Sequence, residues 1–196
     1  MNFIFDVGNV LIDFKPSLFL EELFGEKILI DTMYKTIFKS PEWEKLDQGL
    51  LTHHEATNIF CMREPDFQSA VHQTMQNLKN MLTPIPDIVE LLPKIKELGH
   101  NLYYLSNYQK ELCAYILNEY SFWELFDGGI FSCDIHVTKP SPEIYRHLLE
   151  TYQLSPKDCL FFDDTEENIE AAHAEGIPSV LFTGSECIKP FLRSAK

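Results

Sequence analysis

NFIFDVGNVLID, residues 2–13, sets a short apolar run against a sharp turn: residues 2–6 are strand-like, and Gly8 and Asn9 stop them. That is how a buried strand ending in a tight turn reads. The same grammar returns downstream. NLYYL (101–105) stops at Ser106-Asn107, IFS (130–132) follows a glycine pair, DCLFF (158–162) stops at Asp163-Asp164, and a fifth apolar run, 179–182, comes after Gly176. Between these runs Ile88, Leu91, Leu92, Ile95 and Leu98 recur at helical spacing, as do Ile144, Leu148 and Leu149. Pro93 falls inside the first set and predicts a kink or a split there. Continuously apolar strands alternating with helices predict an α/β fold, a Rossmann-like, doubly wound parallel sheet covered on both faces.

Residues 14–83 break that rhythm. They hold no convincing strand, and helix-like stretches alternate with turn signals such as Phe24-Gly25, Ser40-Pro41, Gln48-Gly49 and Glu64-Pro65. They predict a helical cap (14–83) inserted into a core made of 1–13 and 84–196. The junctions are Asp13-Phe14 and the stiff Thr83-Pro84-Ile85-Pro86 segment.

The 196 residues are 45% hydrophobic and carry a formal charge of -14, with no run of Lys and Arg. A chain of this size buries a sizeable core. Its charge repels duplex nucleic acid and anionic membranes, so neither is an expected partner. The five cysteines are widely spaced without a CxxC and read as plain buried thiols, which suits a cytoplasmic protein. The apolar opening lacks a basic leader and contains Asp6 and Asp13, so it reads as a core strand and not a targeting segment. The chain is expected to be a monomer or a weak dimer.

In an open parallel sheet the ligand crevice lies outside the carboxyl ends of the strands. Asp6, Ser106 and the Asp163-Asp164 pair each fall at such an end, so residues more than 150 positions apart converge. Each has a plainer reading alone: Asp6 as a turn former, Ser106 as a helix N-cap, the Asp pair as helix-start acids. Together, three carboxylates repel one another unless a cation sits among them, and an all-oxygen set suits Mg²⁺. A carboxylate such as Asp6 is nucleophilic at neutral pH without an activating base and forms an acyl phosphate that water cleaves. The Gly8-Asn9 turn offers backbone N–H groups to phosphate oxygens. Ser106 offers a hydroxyl and Lys139 a charge to the transferring group. Pro140 holds Lys139 extended, Ser141-Pro142 starts a helix, and Thr165 is placed to cap the next one.

FIFDVGNVLID, YYLSN, VTKPSPEIY and LFFDDTEENIEAA resemble, in order, the four sequence motifs of the haloacid dehalogenase (HAD) superfamily, and the likeness covers nearly the whole chain. The resemblance implies a phosphatase that cleaves a small phosphorylated metabolite through an aspartyl-phosphate, with Mg²⁺ as cofactor. It makes Asp6 the nucleophile and a metal ligand, with the Gly8 carbonyl and Asp164 as further ligands. Ser106 and Lys139 then hold phosphate, aided by Asn9 and Asn107. Asp163 lies beside the metal and the lysine, Asn168 supports the acidic loop, and Asp13 is structural at the cap hinge. The DxGN and DD forms resemble the subgroup of bacterial α-D-glucose-1-phosphate phosphatases, which implies a sugar phosphate.

Most phosphatases of that family carry a second Asp two residues after the nucleophile as acid/base; Gly8 stands there in this chain. A substrate with an already acidic leaving oxygen, such as an anomeric sugar phosphate, accommodates that loss. Two alternatives stay open: a haloalkanoate dehalogenase, whose halide leaves without a proton, and a non-catalytic phosphate-binding regulator. Dehalogenases resemble one another in a cap arginine that cradles halide, and Arg63 is the only Arg before Arg146. SPEWEKLDQGLLTHHEA (40–56) resembles the family's cap segment, which makes Trp43, Asp47 and Gln48 candidates for reading the substrate. Trp43 equally fits core packing between cap helices. His53 and His54 read as solvent-exposed, and Glu21 and Glu22 as a solvated helix face.

Overall fold

The computed structural model describes residues 1–192, so the last four residues of the 84–196 core segment lie outside the described residues. Five strands, β1 (Asn2–Phe5), β2 (Asn101–Ser106), β3 (Gly128–Phe131), β4 (Cys159–Asp163) and β5 (Ser179–Leu181), form one sheet in the order β3-β2-β1-β4-β5. Every neighbouring pair is parallel; Phe5 lies opposite Tyr104 on one side and Phe162 on the other.

The continuous apolarity has its expected cause. Side chains alternate across the sheet, and both faces are covered. Phe3, Phe5, Leu102 and Phe162 enter one core cluster, while Ile4, Tyr103, Leu105 and Phe161 enter the other. The second face is sealed by α10 (Pro142–Thr151), through Ile144 and Leu148, and α11 (Glu166–Ala174), through Ala172. The first is sealed by α7 (Leu92–Glu97), α8 (Lys110–Glu119) and the helical insertion, whose Leu20, Met33 and Phe60 are completely buried in the same cluster. Pro93 lies in the first turn of α7 and separates it from the short α6 (Pro86–Val89), which is the split its ring predicts.

The insertion is helical among its described residues: α1 (Pro16–Phe24), α2 (Lys27–Met33), α3 (Pro41–Asp47), α4 (His53–Arg63) and α5 (Gln68–Asn77), with a π turn over Tyr34–Phe38. Local sequence starts these helices. The Ser40 hydroxyl accepts from the Trp43 N–H at 3.3 Å ahead of α3, and Thr52 with Glu55 forms a capping box ahead of α4. The two connections to the core run side by side: the Asp13 N–H donates to the Thr83 carbonyl at 2.8 Å, and the Ile85 N–H to the Leu11 carbonyl at 2.9 Å. Asp13 itself pairs with Lys15 at 2.5 Å. No helix among the described residues is long and apolar enough to cross a membrane. Four cysteines are buried and Cys187 is half-buried; all are free thiols.

The loop after α3 docks on a single turn of helix, α9 (Ser132–Ile135). The Ser132 hydroxyl donates to the Asp47 carbonyl, and His136 Nδ1 lies 2.7 Å from the Gln48 carbonyl. Gly49 has φ +67°, and a Cβ there would stand 2.5 Å from the Cys133 carbonyl oxygen. Gly49→Ala is therefore expected to lower stability by about 1–3 kcal/mol, because the clash is with backbone and the conformation disfavours any side chain. A urea melt reads this as a reduced midpoint, and an unchanged midpoint contradicts the docking.

Candidate active site

The strand order places the topological switch between β1 and β4: the chain winds outward through β2 and β3, then returns to the far side of β1. A crevice opens at the carboxyl ends there. Asp6 follows β1, and its N–H donates to the Phe162 carbonyl on β4 at 2.9 Å. Ser106 ends β2, and Asp163 ends β4 with Asp164 next to it. The resulting cavity, about 230 Å³, is lined by Asp6, Gly8, Asn9, Ser106, Lys139 and Asp164 on the core side, with Trp43 and Asp47 from the insertion opposite.

Lys139 ties the acids together. Its Nζ lies 2.8 Å from Asp6 Oδ1 and 2.6 Å from Asp163 Oδ2, and only 1% of its side chain is exposed. The lysine is held from behind by Asn107, whose Oδ1 accepts from the Lys139 N–H at 2.7 Å and whose Nδ2 donates to the Lys139 carbonyl at 2.9 Å. The Lys139–Pro140 peptide is cis. Burial works against the charge on Lys139, but Asp6 and Asp163 outweigh it and hold the ammonium above its ordinary pKa. Burial pushes the Asp6 carboxyl up to about 6; Lys139 pulls it down, Asp163 pushes it up, and hydrogen bonds from Lys139 and Ser106 lower it again. At neutral pH Asp6 is largely ionised.

Asp163 is fully committed. Its oxygens accept from Lys139, from both contacts of Asn168 Nδ2 at 3.0 Å, and from the Thr165 N–H at 2.9 Å. Asp163 thus fixes the turn that leads into α11, whereas Thr165 occupies the N-cap position without a side-chain capping bond. Ser141 likewise precedes α10 without one. Asp164 is exposed and is steadied by Asn9, whose Nδ2 donates to its Oδ2 at 3.1 Å. Asn9 adopts φ 55° to do this.

The donor set fits Mg²⁺. One oxygen from each of Asp6, Asp163 and Asp164 lies within 4.8 Å of the others, and the Gly8 carbonyl accepts no hydrogen bond among the described residues. With Asp163 saturated, Asp6, Gly8 and Asp164 are left to face a cation. Only oxygen is on offer, as a hard dication requires.

Several expectations need correction. Gln48 does not reach the cavity: its Nε2 lies 3.4 Å from Glu44 Oε1 and its carbonyl faces His136, because the loop's docking on α9 turns it outward. Asn107 lines the cavity, and its side-chain amide also grips the backbone of Lys139 from both sides, so it positions the lysine. The turn after Asp6 is less open than its sequence implies, since the N–H groups of Val7, Asn9 and Val10 bond within the segment 6–12 and only that of Gly8 stays unpaired among the described residues. His53 is half-buried, with Nε2 2.8 Å from Gln109 Oε1; adjacent helix positions diverge, and only His54 faces solvent. Arg63 is locked by Glu42 at 2.9 Å and lies outside the cavity lining, so no halide cradle forms there. Trp43 satisfies both of its readings, lining the cavity while packing 4.6 Å from the Phe38 ring.

Tyr108, Gln109, Phe14, Leu82 and Leu112 also line the cavity, and nothing in the sequence singled them out. Tyr108 and Gln109 carried a signal only by adjacency, following Ser106-Asn107 at a strand end.

A family model described as haloacid dehalogenase-like hydrolase matches residues 1–176. Among curated relatives, a sesquiterpene phosphatase of Aspergillus oryzae is 26% identical over 187 residues, covering 93% of this chain and 89% of the relative. A phosphorylated carbohydrates phosphatase of Thermotoga maritima is 27% identical over 183 residues, covering 90% and 82%. Among solved structures, a HAD family enzyme from Bacteroides thetaiotaomicron, in complex with magnesium and inorganic phosphate, superposes with a TM-score of 0.76 at 21% identity over 98% of both chains. An L-2-haloacid dehalogenase from Xanthobacter autotrophicus does so with a TM-score of 0.66 at 17% identity, over 91% of this chain and 75% of the other. At such identities the two structures bear on the fold alone. The family match runs from β1 to just past α11 and encloses the three strand ends and the Lys139 loop that build the cavity, so the chain belongs to the haloacid dehalogenase-like hydrolase family.

Proposed function

We propose that this protein is a Mg²⁺-dependent phosphohydrolase that cleaves a small phosphate monoester through a phosphorylated Asp6. The observation that carries the reading is the buried Asp6 carboxylate at the switch point, with Lys139 at 2.8 Å on one side and the exposed Asp164 within reach of a shared cation on the other. Both curated relatives reported above are named phosphatases, which supports it.

A carboxylate oxygen of Asp6 bonds to phosphorus as the ester P–O bond breaks, and the leaving oxygen departs with a proton from solvent or from the substrate. Water then attacks phosphorus, releases inorganic phosphate and restores the carboxylate. Lys139 and the Ser106 hydroxyl stabilise charge on the transferring group. Asp163 and Asn107 hold Lys139 in place, and Asn9 holds Asp164. Asp6, the Gly8 carbonyl and Asp164 would hold Mg²⁺, which would supply positive charge against the phosphate oxygens. Residues 14–83 act as the cap, moving about the paired connections at 13 and 84 to admit substrate and exclude water. Turnover of a phosphometabolite panel with Mg²⁺, blanked by Asp6→Asn, tests this reading; a wild type no more active than the blank would favour a phosphate-binding regulator.

Gly8 makes the leaving group decisive, and favours an acidic one such as an anomeric sugar oxygen. A Cβ at Gly8 would lie 3.8 Å from the Phe14 Cβ, an ordinary contact, and Gly8 is not in a left-handed conformation, so the backbone there accepts a side chain. General acid–base help is worth about 10²–10⁴-fold. Gly8→Asp is expected to raise kcat/KM for alkyl phosphates by at least about tenfold and to flatten the dependence of rate on leaving-group pKa, which is steep in the wild type. A wild-type rate indifferent to leaving-group pKa contradicts this account.

A further inference from the structure

The wall of the cavity beyond the phosphate site holds buried polar groups that phosphate chemistry does not use. Gln109 is 1% exposed and Tyr108 is 6% exposed, and both line the same cavity as Asp6. Neither Gln109 Nε2 nor the Tyr108 hydroxyl has a hydrogen-bond partner among the described residues. Burying such groups unpaired costs about 1–3 kcal/mol each, so their retention needs a reason.

Their surroundings hold them in this state. The His53 ring sits 2.8 Å from Gln109 Oε1, which leaves the amide nitrogen as the unused end. The Asp47 carboxyl lies beside that amide. The Tyr108 hydroxyl lies close enough to Asp6 and Asp47 for both charges to help keep it protonated, burial being the larger cause. One hydroxyl clamps the arrangement: Ser132 Oγ accepts from the Tyr108 N–H at 2.9 Å and donates to the Asp47 carbonyl, fixing the insertion's loop over Tyr108. Burial also pushes Asp47 up to about 8, the nearby Gln109 amide working against it and Glu44 with it.

Resting on the phosphohydrolase reading, we infer that Gln109, Tyr108 and Asp47 form a subsite that reads hydroxyl groups on the leaving group, so that the substrate is the phosphate ester of a small polyol or sugar and not of an isoprenoid or other hydrocarbon alcohol. A hydroxyl is the group that suits this cluster: it accepts from Gln109 Nε2 or Tyr108 while donating to Asp47. A hydrocarbon placed there leaves the same atoms unpaired. Sites built to hydrogen-bond a substrate hydroxyl reject analogues lacking it by as much as about 10⁴–10⁵-fold. At about 230 Å³ the cavity is also smaller than the roughly 300–1,000 Å³ common for drug-sized ligands.

The test compares matched esters with Mg²⁺ present: hexose 1-phosphates against cyclohexyl phosphate, and hexose 6-phosphates against cyclohexylmethyl phosphate. Each pair has similar size and differs in ring hydroxyls. Wild type is expected to favour the sugar member of at least one pair by about 10²-fold or more in kcat/KM. Gln109→Leu and Tyr108→Phe are each expected to shrink that ratio at least tenfold, chiefly through KM; comparing ratios between wild type and variant cancels the intrinsic reactivity of the esters. Asp6-dependent turnover with no preference for the sugar member in wild type overturns the subsite and leaves the phosphohydrolase reading standing, with no need of a variant. A preference that neither substitution alters also overturns it. Absence of Asp6-dependent turnover for every ester overturns both.

Discussion

Replacing Asp6 by Asn is expected to lower phosphatase turnover by about 10⁴–10⁶-fold, the scale on which removal of a covalent nucleophile is felt, while the chain stays folded. The substitution is nearly isosteric and keeps an oxygen for the Val7 N–H, which donates to Asp6 Oδ1 at 2.7 Å. Lys139 retains Asp163 at 2.6 Å. Folding also gains. Asp6 has a folded pKa raised from 3.8 to about 6, so its ionised form is disfavoured by folding; stability rises as pH falls through 6 and levels off below 3.8. Asn mimics the neutral state at every pH. In chelator-treated protein Asp6→Asn is therefore expected to exceed wild type by up to about 3 kcal/mol at pH 7.5, a gap that closes toward pH 4. Urea melts at the two pH values read it, and a variant less stable than wild type at pH 7.5 contradicts the electrostatic account.

Lys139→Met has the opposite signature. It leaves Asp6 and Asp163, both buried, facing each other without the ammonium that bridges them at 2.8 and 2.6 Å. Removing one member of a buried ion pair costs about 3–5 kcal/mol, because the remaining charge keeps its desolvation penalty and loses its partner. Two carboxylates are stranded here. Because the pKa of Lys139 is raised by folding, its contribution is fully present at neutral pH and is lost only as pH climbs through the raised value. The variant is expected to unfold at markedly lower urea, with turnover lost, and to recover part of its stability with Mg²⁺. A midpoint corresponding to less than about 1 kcal/mol of loss would mean that the lysine does not neutralise the acids.

The sheet was legible because burial on both faces forces the strands to be apolar throughout, and the turn residues then mark their ends. Observed strand limits fall within two residues of the apolar runs. Asp6, Ser106, Asp163 and Asp164 were legible for the same reason, since chemistry at a switch point collects at strand ends. The docking of the loop at 47–49 was not, because it depends on a distant segment: His136 meets the Gln48 carbonyl, and Gly49 packs against the Cys133 backbone. Nor was the commitment of Asn107, a residue type that can bind phosphate or backbone equally well. For Tyr108 and Gln109 the sequence offered only their place after a strand end: an unpaired polar atom is a property of packing, and no pattern of residues announces one. His53 and His54 show the limit of helical reasoning, which separates two neighbours onto different faces without saying which face is inside.

Trapping the covalent intermediate tests the centre of this account most directly. Wild-type protein turning over a phosphate ester with Mg²⁺ is quenched and reduced with borohydride, and the peptides carrying Asp6 and Asp163-Asp164 are sequenced by mass spectrometry with the rest of the digest. Conversion of Asp6, and not of Asp163 or Asp164, to homoserine is the predicted result, absent when Mg²⁺ or ester is withheld. Steady turnover with Asp6 unmodified at every quench time, or reduction at a different carboxylate, would contradict it.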